Sequence, residues 1–267
     1  MSRVVGTRRG AVSALARVAG ALLLLWGARP QPSAAGLPSA TLRETVLLRI
    51  PVSADPAAIS NLECTAGQPR CAAGLGFLSP NDTLYFYDFA HDNLKVIAIR
   101  PGARLVRLLP GLGAARGTRA SPVAGVADSD GSLRLLVPAA RRSEPPTLWI
   151  LEAGTARWRQ APEADARAAD ARLFPPPRAE VGAPAGVTLG RDAGGNRFVE
   201  RHESWHTQVL AKYGTDGRLV AQTILPERPT WKRLAGWTDK WVTSRGEVLE
   251  IHVGPRWMVV SAWTAGA

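Results

Sequence analysis

Residues 76–111, GFLSPNDTLYFYDFAHDNLKVIAIRPGARLVRLLPG, constrain the fold more than any other stretch. They read as four short strands in a row, at 76–79, 84–88, 94–99 and 104–109. The breaks between them are Pro80-Asn81-Asp82, His91-Asp92-Asn93 and Pro101-Gly102-Ala103, each of which is turn chemistry. A four-stranded antiparallel unit of this size has two apolar faces and cannot bury both alone. Copies stacked around an axis bury them, and that arrangement is a β-propeller.

The rest of the chain repeats the pattern at irregular intervals. A second unit is expected over 122–128, 132–137, 147–152 and 156–160, and a third over 185–191, 197–201, 208–213 and 218–225. A last unit offers 234–237, 241–244, 247–253 and 257–263. The turn dipeptides Asn81-Asp82, Asp130-Gly131, Gly194-Gly195 and Arg245-Gly246 recur at steps of 49, 64 and 51 residues, a blade-sized period stretched by inserts. The clearest insert is 161–185, rich in Ala, Pro and Arg. Its first part, EADARAADAR at 163–172, has the makings of a short helix, Pro175-Pro176-Pro177 forces an extended path, and the whole is expected as an exposed inter-blade loop. The strand TVLLRI at 45–50, stopped by Pro51, has no local partner. A propeller leaves no open edge when its ring closes, and the last unit reads as one strand short, so 45–50 is predicted to complete the C-terminal blade. The expected fold is therefore all-β and β-propeller-like, with about four to five recognisable four-stranded blades.

Residues 1–35 stand apart. They carry Arg3, Arg8, Arg9, Arg17 and Arg29 and no acid. The apolar run VAGALLLLWGA at 18–28 is followed by Pro30, Pro32 and the small residues Ser33, Ala34 and Ala35. This is a basic n-region, a short h-region and a small-residue cleavage site, read as a signal peptide removed before Gly36. The run falls well short of the roughly 20 residues of a spanning helix, so no membrane span is expected after cleavage. Arg8-Arg9 loosely fits a twin-arginine signal and leaves the export route open. The formal charge of +11 shrinks to 28 basic against 22 acidic residues, or +6, over 36–267. Those cations are scattered, with no basic stripe interleaved with aromatics, so a nucleic-acid partner is not expected. The two cysteines, Cys64 and Cys71, sit in one short loop, CTAGQPRC. In an exported protein such a pair is expected to form a disulfide, worth about 2–3 kcal/mol in the chain-entropy picture. A secreted or periplasmic location follows.

The first unit resembles the blades of NHL-type and related six-bladed propellers of secreted bacterial proteins. The shared pattern is Gly76-Phe77, the turn Asn81-Asp82, the aromatic strand Leu84-Tyr85-Phe86-Tyr87-Asp88, the loop His91-Asp92-Asn93 and the strand at 94–99. The resemblance implies that the strand-ending Asp88 joins a loop network bracing the blade. His91 stands where that family has Asn, and Asn93 where it has Arg. A later unit keeps the phrase Tyr213-Gly214-Thr215-Asp216-Gly217. The resemblance implies a protein that binds proteins, sugars or peptides through loops on one face, or, in a minority, a metal-dependent lactonase or esterase.

One string points elsewhere. His202-Glu203-Ser204-Trp205-His206 is HExxH. On a helix, His202 and His206 share a face and bind zinc, and Glu203 activates the bound water. Phe198, His202, Trp205, Val209 and Tyr213 do fall at helical spacing. Against this, no Gly and His follow His206 as a third-ligand signature, Glu227 precedes Arg228-Pro229 with no helical pattern, and long helices are lacking. The other expectation for this stretch is two strands joined by a turn near residues 203–205. Asp88, Asp92, Asp128, Asp130, Asp192 and Asp216 fall mostly in expected turns, where aspartate brackets the backbone. A propeller hydrolase would instead bring a few of them to an axial calcium or zinc. Trp231, Trp237, Trp241, Trp257 and Trp263 crowd the C-terminal portion. They are expected as inter-blade core, with an aromatic platform for carbohydrate as the alternative.

The sequence thus reads as an exported propeller-like binding or scaffold protein with a protein, peptide or carbohydrate ligand. No catalytic residue, metal or cofactor is assigned. The alternatives are a lactonase- or esterase-like propeller hydrolase with an axial metal, and a zinc metallopeptidase using His202, Glu203 and His206. The leader and the cysteines yield a first prediction. Mass spectrometry of protein recovered from an exporting host is expected to find Gly36 at the N-terminus, and a peptide containing Cys64 and Cys71 that gains about 2 Da on reduction.

Overall fold

The computed structural model describes residues 40–60, 72–100, 102–117, 121–139, 144–173, 186–203, 207–226, 233–235, 239–254 and 256–266. The chain divides into residues 1–37 and a body of residues 38–267, and every described residue lies in the body. The expected leader, Cys64, Cys71, Trp231, Trp237 and His206 fall outside the described residues.

Strand β1 (Ala40–Pro51) opens the body. A first meander follows: β2 (Ala72–Leu78), β3 (Thr83–Asp88), β4 (Asn93–Ala98) and β5 (Arg104–Pro110). The one-turn helix α1 (Gly113–Arg116) leads to a second meander: β6 (Ala124–Ala127), β7 (Leu133–Val137), β8 (Thr147–Leu151) and β9 (Trp158–Gln160). Helix α2 (Glu163–Leu173) precedes the third: β10 (Val187–Arg191), β11 (Arg197–His202), β12 (Gln208–Tyr213) and β13 (Leu219–Ile224). After β14 (Arg233–Ala235) come β15 (Lys240–Val242), β16 (Val248–Val253) and β17 (Trp257–Ala265).

The fourth sheet is completed from the other end of the chain. β1 runs antiparallel to β17 from Leu42↔Ala265 to Pro51↔Trp257, as expected for 45–50. Its first residues also pair in parallel with β13, which joins the third and fourth meanders into one eight-stranded sheet. One expectation needs correction. The strand expected at 234–237 does not belong to the last unit. β14 instead pairs in parallel with β2, because β1 already fills the fourth place beside β17 and the free edge of β2 is open.

The turns explain why the hairpins form where they do. At 79–83, 128–132, 192–196, 214–218 and 243–247 the first residue's N–H donates to the fifth residue's carbonyl, at 2.8–3.1 Å. In each the fourth residue sits at positive φ: Asp82 at 56°, Gly131 at 86°, Gly195 at 80°, Gly217 at 78° and Gly246 at 79°. This is the three-residue hairpin loop that ends in a left-handed residue, and it selects glycine at four of the five places. The dipeptides that recur through the sequence are these turns.

The first, second and fourth meanders are covered on both faces. Leu75, Phe77, Tyr87 and Leu94 of the first pack on Leu133, Leu135, Trp149 and Trp158 of the second. The first meander's other face, with Leu84, Phe86 and Ile97, packs on Leu249, Ile251, Met258 and Val260 of the fourth. The fourth's far face, with Val248 and Trp263, meets Phe198, Leu210 and Ala221 of the third. The remaining face of the second is covered by α2, whose Ala166 and Ala169 are buried with Leu136 and Leu148. Residues 163–173 are therefore not the exposed loop expected of that insert, since small residues three apart give the helix an apolar stripe. The first strands approach one another closely. A Cβ on Gly76 of β2 would lie 2.6 Å from the Trp241 ring of β15, and one on Gly125 of β6 would lie 2.5 Å from the Phe77 ring of β2.

A buried ion pair ties the turns together. Asp88 Oδ2 accepts from the backbone N–H of Ser60 at 2.8 Å and from Lys95 Nζ at 3.0 Å. Lys95 also donates to Asn93 Oδ1 at 2.7 Å, and Asn93 Nδ2 donates to the Pro56 carbonyl at 2.9 Å. Asp88 and Lys95 are fully buried. Burial pulls the Asp88 carboxyl up, but the Lys95 ammonium and the donors of Ser60 and His91 outweigh it and hold Asp88 below the usual carboxylate range. Asp88 thus sits in a buried network with Lys95 as its cation and Asn93 bridging to the β1–β2 connector.

Removing one partner of a buried pair leaves an uncompensated charge. Lys95→Met is expected to destabilise the fold by about 3–5 kcal/mol, and Asp88→Asn combined with Lys95→Met to recover a large part of that loss. Urea unfolding of the two variants beside the wild type measures both.

Candidate functional site

At the junction of the third and fourth meanders, charged side chains enter a face that is otherwise apolar. Along β11, Phe198, Glu200 and His202 share one side of the strand by pleat alternation. Phe198 belongs to the core shared with the fourth meander, so Glu200 and His202 point toward that meander as well. On the facing sheet, Lys240 of β15 stands opposite Glu250 of β16, and Glu250 opposite Ser261 of β17. Lys240, Glu250 and Ser261 therefore line the same side.

Lys240 is the centre of this group and is only 5% exposed. Its Nζ lies 3.0 Å from Asp239 Oδ1, 3.3 Å from Glu200 Oε2 and 3.6 Å from Glu250 Oε1. Trp263 Nε1 donates to Glu250 Oε2 at 2.9 Å and fixes that carboxylate from the core side. Burial lowers the lysine's proton affinity, but Asp239, Glu250 and Glu200 together outweigh burial and raise it above the ordinary value. Lys240 is therefore a fixed ammonium, suited to holding two meanders together and unsuited to acting as nucleophile or base at neutral pH. Toward solvent the group opens onto His202 and Asp239, whose side chains are 59% and 44% exposed. His202 Nε2 is 4.0 Å from Glu200 Oε1, and Arg201 Nη2 is 3.6 Å from Glu203 Oε1. Arg201 and Glu203 fall on the other side of β11, so counting Glu200, Asp239 and Glu250 against Lys240, this end of the junction carries a net charge of −2, whereas residues 36–267 together carry +6.

The HExxH string lies at this junction, but not as a helix. β11 and β12 are antiparallel, with Arg197↔Tyr213 at one limit and His202↔Gln208 at the other, and Glu203 N–H donates to the Thr207 carbonyl at 2.9 Å. The stretch is the hairpin, one of its two expected forms, because Arg197–His202 and Gln208–Tyr213 bury alternate residues on two faces. A helix that stacks both imidazoles on one face is excluded by those strands. His202 ends β11, Glu203 opens the turn, and His206 is not among the described residues. The turn acids behave as brackets: Asp130 accepts from Ser132 N–H, Asp192 from Asn196 N–H and Asp216 from Arg218 N–H. Among the described residues no three His, Cys, Asp or Glu side chains gather as a metal site. Trp263 is core, as expected, whereas Trp257 is 45% exposed.

Glu200, Lys240 and Glu250 were not singled out by the sequence reading. The signal for Glu200 was present, since it interrupts the buried parity of β11 between Phe198 and His202. Lys240 carried no such signal, because a single lysine ahead of Trp241-Val242 reads as a solvated strand end.

No family model matches the chain, and no curated protein matches it. Among solved structures it is similar to a streptogramin B lyase, at 11% identity and a TM-score of 0.23. The match covers 72% of this chain and 50% of that one, so the chain spans about half the length of that enzyme. A score that low does not carry the fold; the strand ladders do.

The ion group predicts a pH signature. A lysine whose proton affinity is raised stabilises the fold fully below the ordinary lysine range, and that share is lost as pH rises through its higher folded value. Wild-type thermal stability is accordingly expected to hold across neutral pH and to fall above about pH 10. Lys240→Met leaves Glu200 and Glu250 with no cation between them. That variant is expected to lose melting temperature between pH 5 and pH 8, where the wild type is level, and to regain it as the carboxylates protonate. Melting curves across pH for both proteins measure this.

Proposed function

We propose that the protein is an exported binding or scaffold module whose four meanders are the blades of a propeller, and that it meets a cationic segment of a protein or peptide ligand at the junction of the third and fourth. The propeller reading is supported by the close approach of the first strands, β6 on β2 through Gly125 and Phe77, and β2 on β15 through Gly76 and Trp241. Strand edges that converge in this way are what radial packing of twisted sheets requires. The export reading rests on the leader-like composition of residues 1–35.

The observation that carries the ligand class is the sign of the charge at the junction. The chain after the leader is cationic, at +6, yet here the exposed Asp239 borders the carboxylates of Glu200 and Glu250 around one buried ammonium. Such a local reversal selects a basic partner by complementarity and repels the acidic ones that the rest of the surface tolerates. The zinc-peptidase reading has no comparable support, since its helix is replaced by a hairpin.

Fluorescence anisotropy with a labelled arginine-rich peptide, and with its glutamate counterpart as control, tests the proposal. The basic peptide is expected to bind with an affinity that falls as salt is raised. Asp239→Asn is expected to weaken it at least tenfold, and a melting curve establishes that the variant is folded. Failure of the basic peptide to bind, or equal binding by the folded variant, overturns the ligand class.

A further inference from the structure

A second cleft lies away from the ion group, where the first meander hands over to the second. One wall is the end of β5 and the start of α1: Pro110, Gly111, Ala114 and Ala115. The other is the entry to β9, with Arg157 and Trp158. The cleft is open to solvent on one side and its volume is about 300 Å³. Small-molecule sites begin at roughly this size, and an apolar cavity of about half of it holds a benzene ring.

The lining has a definite chemistry. Trp158 is 7% exposed and forms the floor, and its one donor is already spent, Nε1 donating to the Pro110 carbonyl at 2.8 Å. What the indole still offers is apolar ring surface. The alanines, the proline and the glycine add no side-chain polar group. Arg157 supplies the cleft's one charged side chain, and a guanidinium pairs with carboxylate or sulfonate oxygens two at a time.

The walls are also fixed in advance. Leu112 N–H donates to Tyr87 Oη at 2.8 Å, and Gly113 N–H to Asp92 Oδ2 at 2.8 Å. Tyr87 Oη in turn donates to Asp92 Oδ1. A Cβ on Gly111 would lie 2.1 Å from the Asp92 carbonyl oxygen, so the segment before α1 rests directly on the β3–β4 turn. A preformed apolar cleft does not lose ordering entropy when a ligand enters.

We infer that this cleft binds a small apolar anion, an aromatic or branched aliphatic carboxylate or sulfonate, with its hydrocarbon on Trp158 and Pro110 and its charge on Arg157. The site is separate from the basic-peptide junction, and either can fail without the other.

The test uses two fluorescent probes of similar shape, the anionic 1-anilinonaphthalene-8-sulfonate and the neutral N-phenyl-1-naphthylamine. Both are expected to bind the folded wild type saturably at one site. Ala115→Phe fills the cleft and is expected to abolish both signals. Arg157→Gln, on an exposed side chain, is expected to weaken the sulfonate at least tenfold and leave the neutral probe within twofold. Far-ultraviolet circular dichroism and a melting curve establish that each variant is folded, and Ala114→Phe replaces Ala115→Phe if that variant is not. No saturable binding to the wild type, full binding to the filled variant, or equal losses of both probes in Arg157→Gln each overturn the inference.

Discussion

The ladder between β1 and β17 is the interaction on which the rest of the body depends. Without β1, the fourth meander has three strands and its outermost ladder is unpaired. Leu42 and Ile50 of β1 also enter two different cores, one against the third meander and one against the first. The same strand therefore completes a sheet and fills the wedges on both of its sides. Hydrogen bonding and burial agree at this point, and such agreement across levels makes a sequence specify one structure.

The meanders were legible because two local signals coincide. Alternating or continuous apolar runs of strand length mark β3, β4, β7, β12 and β16, and a five-residue turn with a left-handed fourth position marks the hairpins that lead into β3, β7 and β16 and out of β12. Glycine at that position is a backbone requirement, so it shows in the sequence wherever it occurs. Asp82, the non-glycine case, was still readable as a turn because a short acid tolerates positive φ. β14 was misplaced because a three-residue strand has no pattern of its own, and its partner is set by which edge is vacant. The helix at 163–173 was visible, but its packing was not, since the Leu136 and Leu148 surface it covers is distant in sequence.

The charged groups show the other limit. Asp88 was identified through the family resemblance, yet its counter-ion is Lys95, seven residues on and across a hairpin. Lys240 and Glu200 are 40 residues apart, and their 3.3 Å separation exists only once two meanders pack. HExxH drew notice for a geometry that strands cannot supply, and the hairpin placed its first residue beside an ion group that no spacing rule describes. Charge in the core is expensive unless paired, and pairing between distant segments leaves no periodic trace.

The pairing of β1 with β17 has a consequence in time. The two strands stand roughly two hundred residues apart along the chain. A contact of such wide separation forms slowly, because the whole intervening loop has to be closed before the pairing rewards it. The first three meanders, whose strands are sequence neighbours, need no such wait. The seam between β1 and β17 is therefore the step at which a half-folded molecule lingers with an unclaimed strand edge.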